Sequence, residues 1–320
     1  TRQNDLDVGF TISIQPGGYT NRSLLQGAQA TQENRQAFFT FGDKSWGSIK
    51  LGKDLGIFAS DAILNDMTLL GVGNGAYGKG GAITTTTLGG IGAGYIYADW
   101  KEQISYTTPN MNGFQATVAV TQGWNATGAF GTTTGIGLGS VSQGGSQPAF
   151  EGKASYDFST DAVKGKVWVS AVSQKIQNIG AGLTSKTGNA EDIGVTISAA
   201  GFGLTGYYYN GQGAGTTGLL LGALSATGEK RDSDGGYVQA TYVLPTATKI
   251  GVAYGVSNLD AATGDVTFKG TKNERWTVGA YHPLTKHVNL VAEYDNAKTQ
   301  PTGAASSTTN TVSLGGILFF

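Results

Sequence analysis

The sequence predicts an all-β protein, a transmembrane antiparallel β-barrel, on three observations. Apolar residues recur at every second position in about fourteen separate stretches, the period of a strand with two unlike faces. The connections alternate between short turns and longer polar segments, so one rim of the sheet would carry turns and the other loops. Finally, the chain of 320 residues has only 13% charged side chains, 52 glycines and a mean hydropathy of −0.13. An ordinary soluble surface is richer in ions, with about 25% charge overall. No run of about 18 apolar residues offers a spanning helix. In a barrel only every second side chain meets lipid, so weak average hydropathy is what the fold requires.

The elements follow in order. Asp5 to Ile14 alternates with Leu6, Val8, Phe10, Ile12 and Ile14 on one face, and Pro16-Gly17-Gly18 ends the stretch. Gln36–Phe41 and Gly47–Gly52 pair across Asp43-Lys44, with Ile49 and Leu51 on one side and Ser48 and Lys50 on the other. Residues 54–98 break the pattern. Within them Ser60 to Met67 reads as a short helix with Ser60 as N-cap and Asp61 at its positive end. Glycine-rich and threonine-rich sequence follows, and a loop of this length is usually functional.

Strand pairs then resume. Ile104 and Tyr106 turn at Pro109-Asn110-Met111-Asn112-Gly113 into Phe114, Ala116, Val118 and Val120. Further turns are expected at Thr160-Asp161, Ala200-Gly201, Pro245-Thr246 and Pro283-Leu284-Thr285. Loops are expected between the pairs, including a Gly/Ser/Thr loop over 122–148. Trp46, Trp100, Tyr106, Tyr156, Phe158, Tyr254, Trp276 and Tyr294 lie near strand ends, where a barrel places its interfacial girdles. The last ten residues, 311–320, form a strand with Val312, Leu314, Leu318 and Phe320 on one side. Such an ending is an aggregation hazard in water and is sound where the outer face meets lipid.

Several function classes are excluded. With no cysteine there is neither a disulfide framework nor a thiolate metal site. A net charge of −1 gives no field for nucleic acid. The two histidines, His282 and His287, flank one predicted turn, which leaves a Ser/His/Asp triad or a histidine metal centre almost nothing to use. Gly73 to Gly78 spells G-x-G-x-x-G, but no strand precedes it and no amphipathic helix follows, so it is read as a loop. No catalytic residue, cofactor or metal is predicted.

Asn34-Arg35-Gln36-Ala37-Phe38-Phe39 and Trp46-Gly47-Ser48-Ile49-Lys50-Leu51-Gly52-Lys53 resemble the paired strands before the constriction loop of general Gram-negative (proteobacterial) trimeric porins. Ile104-Ser105-Tyr106 running to Pro109, Thr277 to His282, and the terminal Phe320 also match. The resemblance covers nearly the whole chain. It implies one barrel domain over residues 1–320 with sixteen strands and an inward-folded constriction loop at about 54–98. Asp5–Ile14 resembles the third of those strands, so the first two, and sequence ahead of Thr1, are expected to be missing. It further implies a homotrimer among the lipids and lipopolysaccharide of a Gram-negative outer membrane. Such a barrel would be a passive channel for small hydrophilic solutes, and not an enzyme.

Alternation places Lys50, Lys101, Lys153, Lys164, Lys166, Lys249 and Arg275 on the face opposite the apolar one, with Glu151, Asp157, Glu293 and Asp295. Lys or Arg at the lipid midplane costs about 2–4 kcal/mol, so these point to water. In the family the resemblance indicates, acidic residues of the third loop stand opposite basic residues of the wall. The matching positions are Asp61 and Asp66 in the loop, with Arg35, Lys50, Lys53, Lys101 and Arg275 around them. Opposed charges across a narrow passage sort solutes by sign. The basic excess on the wall predicts a mild anion preference. A barrel acting mainly as adhesin or phage receptor, a substrate-selective channel, and a soluble extracellular β-protein stay open on the sequence.

Overall fold

The computed structural model describes residues 1–16, 32–72, 89–124, 147–177, 183–218 and 220–320. The predicted G-x-G-x-x-G stretch and most of the 122–148 loop lie outside the described residues. The first strands are β1 (Arg2–Gln3), β2 (Leu6–Ile12), β3 (Gln15–Pro16), β4 (Gln32–Glu33), β5 (Ala37–Asp43) and β6 (Gly47–Leu55). After the helical turns α1 (Ser60–Leu64) and a 3-10 helix (Met67–Leu70) come β7 (Trp100–Thr107), β8 (Phe114–Thr121), β9 (Ala149–Ser159) and β10 (Lys164–Ile176). Next are β11 (Lys186–Ala199), β12 (Phe202–Gln212), β13 (Asp232–Val243) and β14 (Lys249–Leu259). The last are β15 (Thr271–Pro283), β16 (Val288–Pro301) and β17 (Ser307–Leu318).

Fifteen of these form one antiparallel sheet in chain order, and β3 pairs with β4 apart from it. Setting aside the two-residue β1, the sheet has the fourteen strands the alternation predicts. Each predicted turn is found. Ala200 and Gly201 both take positive φ (49° and 83°), the two-residue turn whose twist suits a hairpin.

The sheet curls strongly. Residues 56–72 and 89–98 touch Glu151 on β9, Asp192 on β11, Gln239 on β13, Ser257 on β14 and Arg275 on β15 with the same face of the sheet. Val72 reaches Gly315 on β17. One face therefore encloses the segment and the other is convex. The convex face is apolar, with Ile104, Val118, Ile193, Leu204, Val252 and Leu314 exposed. Towards the long-loop rim the belt ends on Tyr208, Tyr254, Trp276 and Tyr294. Beyond Tyr208, Trp276 and Tyr294 the next outward positions are polar, at Asn210, Glu274 and Asn296. The Tyr254 hydroxyl donates to Glu274 at 2.8 Å and the Tyr294 hydroxyl to Asn310 at 3.1 Å.

The packed core lies inside the curl. Phe58, Tyr95 and Ile96 of the enclosed segment are buried against Trp124, Trp168, Val172, Tyr207 and Tyr237 of the wall and its margin. Trp168 lies flat because Gly194 on the next strand leaves it room; a Cβ there would stand 2.1 Å from the indole. The helix differs from expectation in its cap. Ala59, not Ser60, is the N-cap, in the left-handed region at φ 61°. The Ser60 hydroxyl instead donates to the Ile57 carbonyl at 2.8 Å, and Asp66 caps the 3-10 helix that follows.

Candidate functional site

The enclosed segment is fixed by wall acids. The backbone N–H groups of Ile57 and Phe58 donate to Glu151 Oε2 at 2.7 and 2.8 Å. The next one, of Ala59, reaches Ser170 Oγ and Asp192 Oδ2, both at 3.2 Å. The left-handed turn at Ala59 presents these donors to the wall. Glu151 Oε1 receives Lys101 Nζ at 2.5 Å and the Thr121 hydroxyl at 2.8 Å. Lys101 itself lies 3.9 Å over the Trp124 ring. A buried carboxylate is costly unless fully bonded, and Glu151 has four donors.

One turn further, the charges open to water. Asp61 on α1 bridges Lys153 Nζ at 2.7 Å and Lys166 Nζ at 2.6 Å. Burial raises the Asp61 pKa, but the two ammonium groups outweigh it and hold the carboxyl below the ordinary carboxylate value. Both lysines remain part-exposed, with 21% and 25% of their side chains open. Two cations on one carboxylate leave one positive charge within this ion-pair cluster, with Asp157 cross-strand from Lys166 on the same face. On β6, Lys50 pairs with Asp54 and lies 4.7 Å over the Phe38 ring. Gln36 Nε2 donates to the other Asp54 oxygen at 2.9 Å.

The far limb is held internally. Asp66 accepts from Thr68 N–H and hydroxyl at 2.8 and 2.7 Å through one oxygen. Its other oxygen takes Gly90 N–H at 2.9 Å and the Tyr95 hydroxyl at 2.8 Å. Burial, and then the Asp66 charge, raise the Tyr95 pKa well above that of a free tyrosine. Arg275 on β15 is bound to Asp295 at 2.5 Å and touches Thr68 Oγ1 at 3.4 Å. Gln239 accepts from Met67 N–H at 2.6 Å, and Tyr237 donates to the Ala62 carbonyl at 2.8 Å.

The predicted site residues therefore divide. Lys50 and Asp61 lie on the enclosed side, part-exposed or beside part-exposed lysines. Lys101 and Arg275 lie on that side too, but buried and neutralised in the anchors. Asp66 braces the segment from within. Lys53 takes the parity of Ile49 and Leu51, opposite Glu102 and Ala37, and so sits on the other face from Lys50. Arg35 is exposed just ahead of β5. Sequence reasoning missed Asp192, Gln239 and Tyr95 as partners and did not give Glu151 its anchoring role. Among the described residues no cluster of His, Cys, Asp and Glu could hold a metal.

A curled antiparallel sheet with an apolar outer belt, aromatic girdle and charged inward segment defines a channel-forming barrel of the outer membrane. The chain belongs to the Gram-negative porin family, whose model matches residues 1–302. It is therefore an outer-membrane protein of a Gram-negative bacterium. Solved structures agree in fold. The chain is similar to the outer-membrane channel DcaP of Acinetobacter baumannii, with a TM-score of 0.69 at 18% identity over 100% of this chain and 82% of that one. It is similar to Salmonella typhi OmpF in complex with daunomycin, with a TM-score of 0.63 at 14% identity over 98% and 85%. A loop-deletion form of Vibrio cholerae OmpT gives 0.59 at 12% identity over 99% and 87%. No curated protein sequence is similar enough to the chain to match it.

Proposed function

We propose that this barrel passes small hydrophilic solutes and ions by diffusion, with a mild preference for anions, as a homotrimer among outer-membrane lipids and lipopolysaccharide. The observation that carries the reading is the uneven pairing at the enclosed segment, where Lys153 and Lys166 share Asp61 and both stay open to water. A solute meets one surplus positive charge in a confined, low-dielectric space, where a charge acts more strongly than on an open surface. No covalent step is involved. Lys50 adds to the same field, although Asp54 offsets it.

Reversal potential in a salt gradient across a planar bilayer tests this. The expected sign is that of an anion-preferring pore, and Lys50→Glu should move it towards cations. The shift should fade as salt rises, since the screening length is about 10 Å at 0.1 M. A cation-preferring wild type would overturn the ion preference. Absence of conductance would favour an adhesin or phage-receptor barrel instead. Native mass measurement of the detergent-extracted protein decides the trimer.

A further inference from the structure

Between β12 and β13 the chain does not leave the mouth of the sheet as a polar loop. Ala214, Leu220, Ala223 and Leu224 are buried in the same apolar cluster as Phe58, Tyr95 and Ile96 of the inward segment. The Tyr97 N–H donates to the Thr217 carbonyl at 3.0 Å. Gly218, at φ +115°, lies so near that a Cβ there would stand 3.1 Å from Tyr97 Cβ. The base of the segment is clamped. Buried Arg231 donates from Nε and Nη2 to the two Asp265 oxygens, both at 2.8 Å, and its guanidinium lies 4.2 Å over Phe268. Arg231 Nη1 also reaches the Gly222 carbonyl at 3.4 Å. A planar, bidentate and stacked arginine fixes both direction and distance, which a lysine cannot do.

We propose that residues 213–218 and 220–231 are a second narrowing element, seated on the first at Tyr97, and that the Arg231–Asp265–Phe268 clamp sets the size limit for solutes. The inference rests on the channel reading above. Its physical content is that two segments, not one, occupy the bore. The upper one is held by an apolar seat and by an ion pair anchored in the next loop, so freeing either widens the route without touching the charges at Asp61.

The test compares wild type with Asp265→Ala in liposomes, reading swelling rates for a mono-, a di- and a trisaccharide. Assembly is checked by heat-modifiable migration. The ratio of trisaccharide to monosaccharide rates should rise at least about twofold in the variant, as passage depends steeply on bore. Trypsin supplies a second reading that needs no variant. The Lys230–Arg231 bond of wild type should resist while the exposed Lys269 site is cut, and Asp265→Ala should lose that protection. Leu220→Ser loosens the seat and leaves the clamp, and should give the same rise in the sugar ratio if Asp265→Ala fails to assemble, with the Lys230–Arg231 bond still protected. An unchanged size ratio in an assembled variant would overturn the proposal, as would wild-type cleavage at Lys230 as fast as at Lys269. A wild type that passes no sugar would defeat the channel reading itself, a separate result.

Discussion

Asp61 is a carboxylate shared by two lysines, and its removal should be felt as charge before it is felt as shape. Asp61→Asn leaves Lys153 and Lys166 unopposed, so anion preference should strengthen at low salt; reversal potentials that do not move would place Asp61 off the ion path. The pH dependence has a definite sign. Because the folded pKa is depressed, the stabilising pair is fully present above the ordinary value of 3.8 and is lost only as pH falls below it. The part of the ion preference that Asp61 sets, read as the difference between wild type and Asp61→Asn, should thus stay level on acidification from neutrality to about pH 4 and shrink below it. A difference already gone by about pH 5 would assign the field to another acid. This residue was legible in the sequence as an acid in a long break between strands. Its partners were legible only as members of an inward face, because pairing depends on which strands the curl brings to the segment.

At the scale of elements, the enclosed segment sits where glycines let it. Gly255 on β14 has Ala93 pressed so close that an added Cβ would meet the Ala93 carbonyl oxygen at 2.1 Å. The neighbouring Gly94 N–H donates to Ser257 Oγ at 3.0 Å. Gly255→Ala should push the 89–98 limb off the wall at a cost of about 1–3 kcal/mol, the range for overpacking. The reading is a lower unfolding midpoint in detergent together with noisier single-channel current; a quiet channel of unchanged stability would show that the limb adjusts freely. Strand positions and turns were legible throughout, since alternation and turn residues act locally. The inward course of 213–218 and 220–231 was not read, although Leu219-Leu220-Leu221 and Leu224 interrupt an otherwise polar connection in the sequence. An apolar run inside a loop reports burial without saying against what. Lys53 shows the opposite limit. Its neighbours in sequence suggested company with Lys50, and the period of two separates them.

Across the whole molecule the apolar belt and girdle set how the barrel sits. Val252 is exposed on the outer face, one step below the Tyr254 girdle. Val252→Lys should therefore cost about 2–4 kcal/mol if it stands near the midplane, falling to about 0–1 near an interface. Reversible unfolding from lipid vesicles measures this. A cost near zero would move the girdle, and with it the whole belt, by several ångströms.

The grip on the enclosed segment also dictates an order of events in biogenesis. Ile57, Phe58 and Ala59 are bonded to residues 94, 93 and 133 positions later in the chain, and Thr68 to one 207 positions later. Loop-closure entropy delays such distant partners until the strands bearing them have zipped together. On that argument the segment should seat in two stages, first at Glu151 and Asp192 once β9 and β11 are in place, and at Arg275 only after β15 has joined the sheet.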